Sequence, residues 1–117
     1  MNQETIRAFC KKLPHVTENV QWGHDLVFKV GEKMFAVMAT EPSAVVLSFK
    51  ASPEEFVQLQ EIDGIIPAPY VARYHWVALI DLNAIPTREL KDLLKTAYQL
   101  IHDKLPKKVR DGLSQKG

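Results

Sequence analysis

The segment Pro67-Ala68-Pro69-Tyr70-Val71-Ala72-Arg73-Tyr74-His75-Trp76 places three aromatic rings, one arginine and one histidine within ten residues. Rings beside cations can stack on bases while the cations hold phosphates, so the pattern points to nucleic-acid contact. Packing is the competing explanation for Tyr70 and Trp76, whose rings suit a core or an ordered loop. Arg73 and His75 stand where a strand begins, a place where side chains often stay exposed. Lys33, near a hairpin tip, and Lys50, at a strand end, are further candidates for phosphate contact. Trp22, Tyr70 and Trp76 could also wall a small-ligand pocket.

Other chemistry is harder to assemble from these residues. The five glycines are scattered singly, so there is no glycine-rich phosphate loop. Paired metal-ligand motifs such as Cys-x-x-Cys or His-x-x-x-His are missing. His15, His24, His75 and His102 lie on four separate elements and read as loop or surface residues rather than as a metal site. Cys10 falls on the apolar stripe of a helix, which suits a small buried hydrophobe better than a nucleophile. Glu54, Glu55, Glu61 and Asp63 are accounted for as cap and loop charges. The expectation is a protein without catalysis, cofactor or metal.

The elements that must position these residues follow from apolar spacing. Ile6, Phe9, Cys10 and Leu13 mark a first helix, capped by Asn2 and stopped by Pro14. Val16–Gln21 and Asp25–Val30 read as strands, and Gly31-Glu32 as a two-residue type II′ turn into Lys33–Ala39. Ala44–Lys50 is the next strand. Ser52-Pro53-Glu54-Glu55 carries a capping box with proline at the first helical position, opening a helix to about Gln60. Ile62–Ala72 reads as an ordered loop, and Tyr74–Leu82 as a strand with Trp76, Ala78 and Ile80 on one face. Pro86-Thr87 opens a long helix with a wide stripe through Leu90, Leu93, Leu94, Ala97, Tyr98, Ile101 and Leu105. Leu90, Leu93, Tyr98 and Ile101 are expected to face the sheet and meet Ile6 and Phe9. Residues 1–106 form one domain on this reading, and 107–117 a polar, frayed tail. Clustered strands with peripheral helices give an α+β class, a two-layer sandwich with the terminal helices on one face of an antiparallel sheet.

Composition bounds the function. The chain has 117 residues, 46% of them hydrophobic and 25% charged, as in ordinary single domains. With 15 Lys+Arg against 14 Asp+Glu the net charge is +1, which excludes a strongly basic histone-like protein and an acidic tail protein. The balance is uneven: −3 over residues 1–86 and +4 over residues 87–117, with Lys104, Lys107, Lys108 and Arg110 together near the end. That cluster reads as cations at a helix C-terminus, with a phosphate-binding patch as the alternative. One cysteine permits no intrachain disulfide, and neither a signal peptide nor a membrane span is expected, so a cytoplasmic protein is anticipated.

The ordered set of short motifs resembles the MmcQ/YjbR family of small bacterial proteins. It comprises Leu13-Pro14, Glu18 before Trp22-Gly23, Phe28-Lys29-Val30, Gly31-Glu32-Lys33-Met34-Phe35-Ala36 and Leu47–Lys50 leading into Ser52-Pro53-Glu54. Ile65-Ile66-Pro67-Ala68-Pro69-Tyr70, Arg73-Tyr74-His75-Trp76-Val77 and Tyr98 complete it. Ala97 departs from the family pattern, which has serine before the tyrosine. The resemblance implies a CyaY-like, or frataxin-like, fold and a DNA-binding role of the "double wing" kind, in which sheet hairpins contact the duplex. Iron-binding relatives of that fold use an acidic first helix; here residues 2–13 hold Glu4 against Arg7, Lys11 and Lys12, which argues against iron.

The expected function is therefore weak, largely sequence-independent DNA binding by a monomer, through Lys33, Lys50, Arg73 and His75. The rival is a protein-interaction module using the open sheet face or the 67–76 loop. A small ligand beside Trp22, Tyr70 and Trp76 is the third reading.

Overall fold

The first helix begins where Asn2 accepts the Thr5 backbone N–H at 2.8 Å. In the computed structural model, which describes residues 2–69 and 71–116 with side-chain surroundings up to residue 113, this helix is α1 (Gln3–Lys12). The chain then builds β1 (Val16–Gln21), β2 (Asp25–Val30), β3 (Lys33–Ala39) and β4 (Leu47–Lys50). After α2 (Pro53–Leu59) come β5 (Ile65–Pro67), β6 (Trp76–Leu79), α3 (Thr87–Asp103) and α4 (Lys107–Lys116). The strands form one six-stranded antiparallel sheet in the order β1-β2-β3-β4-β6-β5. No helix among the described residues is long and apolar enough to cross a membrane.

Alternation along the strands separates two faces. Leu26, Phe28, Val30, Phe35, Leu47, Phe49, Val77 and Leu79 point to the helix-covered face and join Ile6, Cys10, Leu90, Leu94, Ala97 and Tyr98 in the main core. The other face carries a smaller cluster of Trp76, Ala68 and Ala78, flanked by Met34, Val37, Val45, Ile66 and Val71. The expected sandwich, with α1 and α3 on one side of an antiparallel sheet, is thus present.

Several local expectations are corrected. Gly31 and Glu32 both have positive φ, 57° and 68°, so the β2–β3 turn is of type I′ rather than II′. A Cβ on Gly31 would lie 2.6 Å from a Leu105 methyl, so a side chain there requires Leu105 to shift, in addition to the strain of the positive φ. Residues 44–46 are not regular strand, although the Val46 N–H still donates to the Leu79 carbonyl at 2.9 Å. Ile62–Ala72 is not all loop: Ile65–Pro67 pairs with Val77–Leu79 as an edge strand, short enough to escape detection by alternation. Tyr74 belongs to a 3₁₀ turn, Ala72–Tyr74, and Ile80 lies beyond the strand, half-exposed.

The capping box opens α2 as expected, with Ser52 Oγ accepting from Glu55 N and Glu55 accepting from Ser52 N. Lys107–Lys116 is helical instead of a frayed tail. Its first turn hangs on the Pro106 carbonyl, and Leu113 packs on the main core. A single i, i+4 pair, Val109 and Leu113, was too thin a stripe to announce it in a polar run.

Candidate nucleic-acid interface and adjoining cleft

The β5–β6 hairpin carries the aromatic segment. Ala68 N–H donates to the Trp76 carbonyl at 3.0 Å, closing a loop that folds over the second sheet face. Inside it the Ala72–Tyr74 turn is held by Tyr74 N–H to Val71 O and His75 N–H to Ala72 O, at 3.0 and 2.9 Å. His75 takes left-handed backbone, φ 65°, which swings the chain from this turn into β6.

These constraints sort the expected contact residues. Arg73 is exposed, and its guanidinium carbon lies 4.8 Å from the centre of the Tyr74 ring, a cation–π contact beside a half-exposed phenol. Lys33 is exposed at the start of β3, one residue past the hairpin tip. His75 is half-buried, with its ring 5.4 Å edge-on to Phe56 of α2. The left-handed turn brings the ring against α2 rather than setting it free beside Arg73.

Lys50 departs furthest from expectation. It is 8% exposed, and its ammonium donates to the Tyr74 carbonyl. Burial, and then the neighbouring charge of Lys104, lower its pKa from the ordinary lysine value. The reason is register: Lys50 pairs with Trp76, so the loop that covers Trp76 covers Lys50 as well. Lys50 is covered and so is not the exposed contact expected for a duplex.

Lys33, Tyr74, Trp76 and Lys104 line one cleft of about 340 Å³ between the β2–β3 tip, the Val71–Trp76 segment and the end of α3. Met34, Val71, Ile101, Leu105 and Pro106 form its apolar walls. Lys104 had been legible only as one member of a terminal cationic cluster. Its convergence with Lys33 is tertiary, and no spacing along the chain encodes it.

Of the three residues considered for a pocket, Trp22 and Trp76 line the same groove. Trp76 is buried in the second cluster, as the packing explanation holds. Trp22, 64% exposed with φ 55°, stands in the β1–β2 turn at the rim of another groove of about 490 Å³. Asp25, Met34, Val37, Ala68 and Trp76 line that groove. Tyr70 lies outside the described residues.

Other titratable groups serve the fold. Cys10 is buried, and its thiol pKa is pushed up to about 12, first by burial and then by the charge of Glu18. A thiol so rarely ionised is a poor nucleophile. Among the described residues, no group of three or more His, Cys, Asp or Glu side chains is placed to hold a metal ion.

Comparison with known proteins gives consistent relatives. A family model described as YjbR matches residues 11–100. The Escherichia coli O157:H7 protein YbdF is 26% identical over 107 residues, covering 90% of this chain and 88% of its own. The crystal structure of the Deinococcus radiodurans protein DR2400, with its DUF419 domain, superposes with a TM-score of 0.82 at 30% identity, over 95% of this chain and 86% of that one. A Pseudomonas syringae protein shares the fold with a TM-score of 0.73 at 22% identity, over 86% of this chain and 99% of that one.

Proposed function

The chain belongs to the YjbR family, and on that premise we propose that it binds nucleic acid, preferably duplex DNA, through the phosphate backbone and without catalysis. One observation carries the reading: Lys33, Lys104 and the Arg73–Tyr74 pair converge on one end of the sheet. They come from three distant stretches of chain. Lys107 and Lys108 follow at the start of α4, close beyond Lys104. Cations gathered this way hold phosphates, and an exposed Tyr74 offers a ring face to an unpaired base. A net charge of +1 keeps the binding weak and non-specific.

The two-layer α+β arrangement fits a frataxin-like sandwich, with the β2–β3 hairpin as one wing. A buried, unpaired Cys10 suits a reducing cytoplasm. A monomer is sufficient for the contacts named.

Trp22 favours a second reading. A large ring held two-thirds exposed at the rim of an apolar groove suits a protein partner or a small ligand on the open face.

The test is a salt series of fluorescence anisotropy on random-sequence duplex and single-stranded DNA. Three or four phosphate contacts give a slope of log K against log[salt] of roughly −3 to −4 for duplex, with Kd about 10⁻⁴ to 10⁻⁶ M near physiological salt. Absence of binding at low salt overturns the DNA reading and leaves the groove beside Trp22.

A further inference from the structure

We propose that the cleft between the β2–β3 tip and the end of α3 is a binding site for a small organic phosphate whose phosphate is joined to an apolar body. The cleft has two chemical halves. Met34, Val71, Trp76, Ile101 and Leu105 present hydrocarbon and indole surface, while Lys33 and Lys104 supply two ammonium groups. No carboxylate is among its described lining residues, and among the described residues neither lysine is in an ion pair. Its volume of about 340 Å³ lies at the lower end for small-molecule sites, about 300–1,000 Å³.

Lys50 does not line the cleft but stands next to it, since its ammonium donates to the carbonyl of the lining residue Tyr74. Lys50 is 8% exposed as a residue and has no carboxylate partner among the described residues. Burying a cation without an anion is costly, and the nearby Lys104 adds repulsion. An anion held between Lys33 and Lys104 offsets the Lys104 charge that bears on Lys50. A dianionic phosphate suits the two lining cations, Lys33 and Lys104, better than a carboxylate does, and the apolar walls require more than inorganic phosphate to fill them. This inference shares Lys33 and Lys104 with the DNA reading but makes a different demand on them. A duplex backbone needs exposed cations spread along a surface, whereas this site requires an apolar body within the cleft.

The test uses the full chain carrying Trp22→Phe, which leaves Trp76 as the single indole of the two. Hexyl phosphate is titrated while Trp76 emission is followed, with inorganic phosphate and 1-hexanol as partial ligands. The site predicts a saturable 1:1 change for hexyl phosphate, at least about tenfold tighter than for either partial ligand. Lys104→Gln, at an exposed position, weakens it about tenfold or more, and Lys33→Gln does so independently. Arg88→Gln, in the first turn of α3 at the other end of that helix, leaves it unchanged. No saturable emission change, equal affinity for 1-hexanol, or indifference to both lysine substitutions overturns the proposal.

Discussion

The Tyr98 hydroxyl donates to the Pro14 carbonyl at 2.8 Å, joining residues 84 positions apart. Tyr98 lies on the sheet-facing side of α3, and Pro14 ends the corner between α1 and β1. The same ring meets Phe35 edge-on at 5.7 Å and stacks on His102 at 5.8 Å. One side chain thus ties α3 to the corner that follows α1 and to β3, and holds the end of α3 where Ile101, Lys104 and Leu105 line the cleft.

Tyr98→Phe keeps the ring and removes the bond to Pro14. The loss expected is about 1 kcal/mol, rising towards 2 because the Pro14 carbonyl loses its partner. Urea unfolding of the two proteins measures it. A loss near zero would mean that water replaces the hydroxyl, and that the ring alone makes the tie.

Leu94→Ala is expected to cost ~2–5 kcal/mol, since the side chain is fully buried against the sheet. Leu93→Ala costs less, because Leu93 is half-buried at the border of the core. The sequence stripe contained both leucines and marked Leu93 as the sheet-facing one. Leu90 and Tyr98 take that side as expected, together with Leu94 and Ala97, while a step of about 100° from Leu94 leaves Leu93, like Ile101, partly buried at the border of the core. Equal costs for the two substitutions would contradict this orientation.

Legibility followed the range of the forces involved. Caps at Asn2 and Ser52, the long stripe of α3 and the β2–β3 hairpin are written within a few neighbouring residues, and each formed. The three-residue β5 is defined by its partner β6 and not by its own pattern. The site split in the same way. Arg73 and Lys33 are exposed because a turn and a strand start put them there. Lys50 had the same local signature and is buried, because its cross-strand neighbour Trp76 lies under a loop.

Glu18 supplies a pH test. Its carboxyl accepts the Arg7 guanidinium at two points, Nε to Oε2 at 2.9 Å and Nη2 to Oε1 at 2.5 Å. The Arg7 hydrogen bond, opposed by burial and aided by the charges of Arg7 and Lys11, holds its pKa below the usual carboxylate range. A folded value below the unfolded one, about 4.3, gives stability that is full above that pH and is lost as pH falls through the folded value. Glu18→Gln therefore destabilises the protein at pH about 7, and the gap to the wild type narrows towards pH about 3. Urea midpoints for both proteins at the two pH values read this directly, and a constant gap would assign the pair no role in acid sensitivity.

The salt slope distinguishes exposed from buried cations. If Lys33 and Arg73 hold phosphates, replacing both by Gln flattens the slope of log K against log[salt] by about two units. Neither position is buried, so the melting temperature should barely move. Lys50 looked equivalent to Arg73 in the sequence, yet its ammonium is occupied by the Tyr74 carbonyl. Lys50→Met should consequently leave the slope unchanged, while removing an unpaired buried charge at little cost or some gain in stability. Arg88→Gln is the exposed control, because α3 separates Arg88 from Lys104 by about 24 Å along its axis. A slope that responds to Arg88 as strongly as to Lys33 and Arg73 would show diffuse attraction to the whole surface. A slope that responds to Lys50 would mean that the loop over Trp76 opens on binding and that the interface lies deeper than Tyr74.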